Sequence, residues 1–413
     1  NVFLQLFFIV KIVAKDWVDH TYIHTSSSSH HRTRTAPHRP GCLKRADLDM
    51  SALDNLVSCL LQCCSHDNSV RQSAEQQLRS AGTTSGFGNA LVIVSLDQSR
   101  PLPARQLAAV YLKQFLKEYW SSTKECRFLP QEKLVARQQL LTGLRDPSRL
   151  MRTAFGLCVA KIAKEDWPEE WPDLFDHLLA GIDSGNAYHV LGSVRCMSLF
   201  CDWLDDITVP KLAPGLFPAL TKIISDDVSF GPQTRRYAGS VVKTCVTLLS
   251  HMRGNPEMPA FQVLAQGAQQ WLGPLLNTLT PMSWQRQQQW YQHIVQSGQP
   301  MAEDSNVCRG YGVQIESLHT MSVLVGELHA LLGTETRRVF MTIWQFTEQV
   351  IPLYVNQVVN PSSSPSSTND ADNDSSIYDD EGNGVGIDVL LVQIFEFLNA
   401  VAVVPHNNVR ALL

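Results

Sequence analysis

The sequence predicts an all-α protein built as a stack of helical hairpins. Three observations carry this. From Met50 onward nearly every segment has the apolar periodicity of a helix and strand alternation is absent. Pro, Gly and Asp-rich turns punctuate the helices at short intervals. The second members of successive helix pairs recur at roughly forty-residue spacing, the period of HEAT-type repeats, so the expected architecture is a right-handed superhelical solenoid.

The elements follow in order. "SALDNLVSCLLQCC" and "SVRQSAEQQLRSA" make a first pair, "GFGNALVIVSL" and "PARQLAAVYLKQFLKEYW" a second, and "QEKLVARQQLLTGL" with "PSRLMRTAFGLCVAKIAKEDW" a third. "WPDLFDHLLAGI" with "AYHVLGSVRCMSLFCDWL", and "VPKLAPGLFPALTKII" with "QTRRYAGSVVKTCVTLLSHM", continue the rhythm. In the fourth helix the polar residues Gln106, Lys113, Gln114 and Lys117 gather on one narrow stripe and apolar residues fill most of the rest. Such a helix needs a partner on three sides, and only the stripe is left to line an exposed inner surface. Arg149, Arg152, Thr153 and Lys164 are expected on a comparable stripe of the sixth helix.

Between the sixth and seventh helices stands "DWPEEWPDLF", two Trp-Pro pairs four residues apart. A residue before proline is pushed out of the α region, whereas proline suits the first turn of a helix. Trp167-Pro168 therefore ends one helix, Trp171-Pro172 starts the next, and Glu169 and Glu170 lie near the positive end of the new one. Trp120, Trp167, Pro168, Trp171 and Pro172 are read as structural, with the two indoles of the motif covering a repeat junction.

Composition narrows the function classes. With 413 residues, 44% of them hydrophobic and 18% charged, the chain has ample material for a sizeable core. A net charge of −5 argues against direct nucleic-acid binding and leaves room for basic partners. The ten cysteines show neither a disulfide framework nor a paired zinc spacing, which favours a reducing compartment. The apolar stretch from Val2 to Val10 is too short to span a bilayer, so no membrane insertion is expected. Residues 1–49 are read as a disordered leader or non-native upstream sequence.

"AEQQL" (Ala74 to Leu78), "GFGNALVIVSL", "RQLAAVYLKQFLKEYW" and "IAKEDWPEEWPDLF" resemble, in order and spacing, the N-terminal domain of the importin-β superfamily of nuclear transport receptors. One departure is Gln114, where that family commonly has Asn. The resemblance spans about Met50 to Val404 and places a Ran-binding type of N-terminal repeats at 50–175, with further repeats at 176–413. It implies a receptor that carries basic cargo such as core histones and ribosomal proteins through nuclear pores, contacts phenylalanine-glycine nucleoporins and responds to Ran-GTP. It also implies shuttling between cytoplasm and nucleus across the nuclear envelope. Because family members read Ran through inner helices of the early repeats, Arg105, Lys113, Gln114, Arg149 and Arg152 become Ran-binding candidates. The alternatives are an exportin of the same superfamily and a Ran-independent HEAT-repeat scaffold.

Two later features stand apart. "PMSWQRQQQWYQHIVQSGQPMAEDSNVC", near 281–308, is Gln-rich and reads as a loop insertion. "NDADNDSSIYDDEGNG", within 360–385, follows a Pro/Ser-rich stretch and reads as a mobile acidic loop. Its carboxylates Asp370, Asp372, Asp374, Asp379, Asp380 and Glu381 would face basic cargo. An EF-hand reading of the same stretch fails at Ser375, where the tight turn requires Gly, and no metal is expected. "GFGNAL" lacks the third glycine and preceding strand of a dinucleotide site, and no phosphate loop or nucleophile motif occurs, so neither a cofactor nor an enzymatic activity is expected. The chain stops at "VRALL" without an evident polar cap and is expected to be a fragment lacking C-terminal repeats.

Overall fold

The computed structural model describes residues 50–121, 127–297, 303, 308, 310–359, 378 and 382–404. Every regular element among them is helical, apart from one isolated antiparallel bridge between Tyr378 and Gly384. The chain divides into two compact units, one running to Ala108 and the other starting at Ala109.

The first unit contains α1 (Met50–Cys63), α2 (Asn68–Ala81), α3 (Phe87–Leu96) and the opening turns of α4 (Leu102–Tyr119). Leu53, Leu56, Val57 and Leu60 recur at helical spacing on α1 and are buried, as are Ala74 and Leu78 on α2 and Leu91, Val92 and Val94 on α3. Each such leucine, fully buried, contributes on the order of 1.5–3 kcal/mol. Asp67 starts α2 by accepting from the Ser69 amide at 2.8 Å and its hydroxyl at 2.7 Å.

The second unit takes the remainder of α4, then α5 (Pro130–Thr142), a 3-10 turn (Gly143–Arg145), α6 (Arg149–Asp166), α7 (Leu174–Ile182) and α8 (Ala187–Phe200), which ends in a 3-10 turn at Cys201–Trp203. It continues through α9 (Val209–Ser225), α10 (Pro232–His251), α11 (Pro259–Asn277), α12 (Pro281–Ser297), α13 (Gly312–Leu332), α14 (Glu335–Tyr354) and α15 (Ile387–Val403). Helices α6, α8, α10, α13 and α15 pack in succession as one layer, while α7, α9, α11 and α14 form the other. Within each pair the two layers meet, α7 on α8, α9 on α10 and α14 on both α13 and α15. Close approach is built in at Gly192, where a Cβ would fall 2.1 Å from the Leu144 carbonyl oxygen.

The "DWPEEWPDLF" segment makes a corner. Trp167, with φ −90° and ψ 140°, leaves the helical region and ends α6, and its bond to Pro168 is cis. The next helix begins at Leu174, two residues beyond Pro172. Glu170 and Trp171 both donate their amides to the Asp166 carbonyl, and this completes a turn before α7 opens. Trp171 is 4% exposed, and Trp167 is half-buried with its ring centroid 5.3 Å from Phe175 and 5.0 Å from Phe200. Under the corner lies a polar knot. The Asp166 carboxylate accepts from Trp120 Nε1 at 2.9 Å and from Arg137 Nε at 2.9 Å, and Arg137 Nη1 donates to the Glu170 carbonyl at 2.5 Å. Trp120 is fully buried, so its indole N–H requires such a partner.

One sequence expectation is corrected here. The Gln-rich stretch is not a loop over its first part, because Pro281–Ser297 is the helix α12. Proline at its first position is preorganised for a helix start, and glutamine is a good helix former. Trp284 anchors it by stacking on Tyr311, with centroids 4.7 Å apart. The carboxylates of the acidic loop, Asp370, Asp372, Asp374, Asp379, Asp380 and Glu381, lie outside the described residues, as does the leader 1–49.

Candidate partner-facing surface

The layer α6–α8–α10–α13–α15 carries the candidate residues Arg149 and Arg152 on its first helix, α6, while Arg105, Lys113 and Gln114 stand on α4. Two of the layer's helices, α6 and α10, follow turns organised by aspartates. Asp146 accepts from the Ser148 amide at 2.8 Å before α6, and Asp226 accepts from the amides of Val228 and Ser229 at 3.1 and 2.9 Å before α10. Asp97 does the same before α4 in the first unit, taking the Ser99 amide at 3.1 Å and its hydroxyl at 2.6 Å.

Four residues into three of the helices stands an arginine that turns back. Arg105 Nε donates to the Ser95 carbonyl at 3.0 Å, and Arg152 Nη1 donates to the carbonyls of Asp146 and Pro147 at 2.7 and 3.0 Å. Arg235 Nε and Nη2 both reach the Ile224 carbonyl, at 3.2 and 3.1 Å. Each guanidinium thus serves carbonyls left over at the end of the preceding helix or in the turn.

This corrects the reading of the basic stripe. Arg105 is 5% exposed and Arg152 3%, so neither lies on a solvated face. Both are long enough to fold back into the hairpin, where their hydrogen bonds go to backbone rather than to solvent. Burial pulls the Arg152 guanidinium down to about 10, with Tyr188 acting in the opposite sense, and it still carries its charge at neutral pH. Of the other candidates, Gln114 is exposed and Lys113 and Arg149 are half-buried. On α6, Thr153 is half-buried and Lys164 exposed, as the stripe requires.

The sequence reading missed a series of arginine–tyrosine contacts that crosses the layer. Arg152 lies over the Tyr188 ring at 5.0 Å, and Arg195 and Arg236 lie over Tyr237 at 5.4 and 5.9 Å. The series ends on α13, where Glu316 takes Lys243 Nζ at 2.9 Å and faces Arg236 Nε at 3.9 Å. It also missed Trp203, 37% exposed on its 3-10 turn with Lys164 Nζ 5.2 Å above the ring. A tryptophan beside an aspartate at a helix end, as in "CDWL", was the available signal. The layer is not uniformly acidic. α6 sets Arg149, Lys161 and Lys164 against Glu165, and Lys161 pairs with Glu165 at 3.1 Å.

Two histidines stand on helices of the layer, His189 on α8 and His319 on α13. Burial holds His189 below its ordinary value, with Arg145 adding to the effect. Burial does the same to His319, where Lys243 also lowers it and Glu316 and Glu396 oppose. Among the described residues no group of three or more His, Cys, Asp or Glu is placed to hold a metal ion, and no helix is long and apolar enough to cross a membrane.

Comparison with known proteins gives this surface a setting. Residues 74–146 match the importin-beta N-terminal domain, a narrower span than the 50–175 expected. Importin-9 of Drosophila melanogaster is 23% identical over 363 residues, covering 86% of this chain and 32% of the relative. Importin-11 of Homo sapiens is 28% identical over 136 residues, 33% of this chain and 14% of that protein. Among solved structures, the exportin Cse1 in its cargo-free, cytoplasmic state superposes with a TM-score of 0.56 at 15% identity, over 87% of this chain and 35% of its own. The fold class is therefore the all-α HEAT-repeat solenoid of these receptors. The chain spans about a third or less of the length of each of these proteins.

Proposed function

We propose that this chain belongs to the importin-β superfamily and is part of a nuclear import receptor for basic protein cargo, regulated by Ran-GTP, a reading supported by its likeness to the importin-beta N-terminal domain and to importin-9. The observation that carries the reading is the N-terminal domain match at 74–146, followed one helix later by the Trp-Pro corner at Trp167–Pro172. The reading involves no catalytic step. Cargo of the histone or ribosomal-protein kind meets the acidic stretch Asp370–Glu381 by charge complementarity, phenylalanine-glycine nucleoporins carry the complex through the pore, and the receptor shuttles between cytoplasm and nucleus.

In this reading Lys113, Gln114 and Arg149 are the Ran-facing set, which is supported by the burial of Arg105 and Arg152 and their hydrogen bonds to backbone carbonyls. The test is binding of the chain to immobilised Ran loaded with GTP or GDP, with a labelled core histone as cargo. At least tenfold tighter binding of the GTP form, a difference of about 1.4 kcal/mol, together with weaker histone binding in its presence, is the expected result. Equal affinity for both nucleotide states favours a Ran-independent scaffold, and strengthening of cargo binding by Ran-GTP favours an exportin.

A further inference from the structure

Trp203 is an exposed indole on a fixed base. It closes the 3-10 turn Cys201–Trp203 and stands between Cys201 and Leu204, both buried. Its ring meets Phe200 edge-on with centroids 5.8 Å apart, and Phe200 contacts Phe175 at 5.2 Å and Trp167 of the Trp-Pro corner at 5.0 Å. Trp203 is thus the solvent end of a four-ring cluster, and 37% of it is exposed. A large ring held in place by its neighbours offers contact area at little cost in side-chain entropy. Ile207, 65% exposed, extends the apolar surface in the turn before α9.

The charge near the ring favours a cationic ligand. The stretch "CDWLDDIT" holds Asp202, Asp205 and Asp206, all exposed, and no basic residue. Asp205 is committed to the Ile207 and Thr208 amides at 3.1 and 2.8 Å, whereas Asp202 accepts only from Thr244 Oγ1, at 3.4 Å. The fold itself already sets a cation on the ring, since Lys164 Nζ, from the last turn of α6, stands 5.2 Å above it. Lys164 is exposed and forms no ion pair among the described residues, so the ring holds it weakly. A guanidinium is planar, less strongly hydrated than an ammonium and stacks on aromatic faces, which makes it the better occupant. We propose that Trp203, with the neighbouring Asp202 and Asp206, is a docking point for an arginine of an extended basic segment, and that Lys164 is the cation which that arginine displaces. The proposal rests on the reading of the chain as a receptor for basic cargo and gives that cargo a contact in addition to the acidic stretch Asp370–Glu381.

The test uses the intact chain labelled with 5-fluorotryptophan, a synthetic arginine-glycine repeat peptide as probe and a core histone as cargo. The fluorine resonance of Trp203, assigned from Trp203→Phe, shifts as the peptide is added. Trp203→Ala and the pair Asp202→Asn, Asp206→Asn each weaken peptide binding about fivefold, while Lys164→Met, which removes the competing ammonium from an exposed position, tightens it about threefold. A lysine-glycine peptide binds more weakly than the arginine peptide. A Trp203 resonance that does not move overturns the proposal, as does Lys164→Met with unchanged or weaker binding, whatever Trp203→Ala does to stability. Equal affinity for the lysine peptide overturns the choice of arginine. Histone binding by the wild type without these responses overturns the site and leaves the cargo reading in place, whereas binding of neither histone nor peptide overturns both.

Discussion

A guanidinium near the start of a helix has two uses, and the charge pattern of the sequence does not distinguish them. Arg105 and Arg152 sit at stripe positions, yet both fold back on carbonyls of their own hairpins, whereas Gln114 on the same stripe is exposed. What the pattern did contain was position: Arg105, Arg152 and Arg235 each stand fourth in their helix, a regularity visible only once the helix starts are known. Arg105→Ala or Arg152→Ala leaves buried carbonyls without a donor and lowers stability by about 1–3 kcal/mol. Gln114→Ala stays within roughly 0.5 kcal/mol of the wild type, and urea unfolding of the three variants checks the contrast. Histidine protonation gives a second prediction at this scale. His189 and His319 both have folded-state values below the ordinary 6.5, so the unfolded chain binds protons first as pH falls. Their contribution to stability is fully present above that value and is lost as the pH falls through it. Thermal midpoints should drop between pH 7.5 and 5.5, and the double variant His189→Gln, His319→Gln should show a smaller drop over the same range.

At the scale of elements, the proline rules placed the end of α6 at Trp167, because they act on neighbouring residues only. The start of α7 came two residues later than expected, since the Asp166 carbonyl draws two following amides into an extra turn. The knot beneath was illegible for a different reason. Trp120 and Arg137 lie 46 and 29 residues from Asp166, and no local pattern announces such a pairing. Trp171→Ala is expected to cost about 3–5 kcal/mol, the range for removing a buried aromatic ring. Asp166→Ala strands the buried Arg137 and is expected to cost a comparable 3–5 kcal/mol or so. A double-mutant cycle with Arg137→Met, measured by urea unfolding, should recover part of that loss, because it removes the unpaired charge along with its partner.

At the scale of the whole molecule, the forty-residue rhythm identified the helical pairs, since each pair must bury its own apolar face before it can bury a neighbour's. The pairing of layers through α6, α8, α10, α13 and α15 follows from that rhythm, while the helix α12 between two of them interrupts it. Replacing Asp370, Asp372, Asp374, Asp379, Asp380 and Glu381 by Asn or Gln is expected to leave the thermal midpoint of the chain nearly unchanged. The same replacement should slow association with a core histone at low ionic strength, and the difference should shrink as salt shortens the Debye length. Stopped-flow association measured at two salt concentrations decides this. The back-turned arginines have a mechanical consequence at the same scale. Arg235 rivets the first turn of α10 to the last turn of α9, and Arg105 rivets α4 to α3 in the same manner. A joint fastened at its apex resists splaying, so a load applied to such a pair is passed on whole to the next face. The apex of each such hairpin is thus held by a side chain as well as by packing.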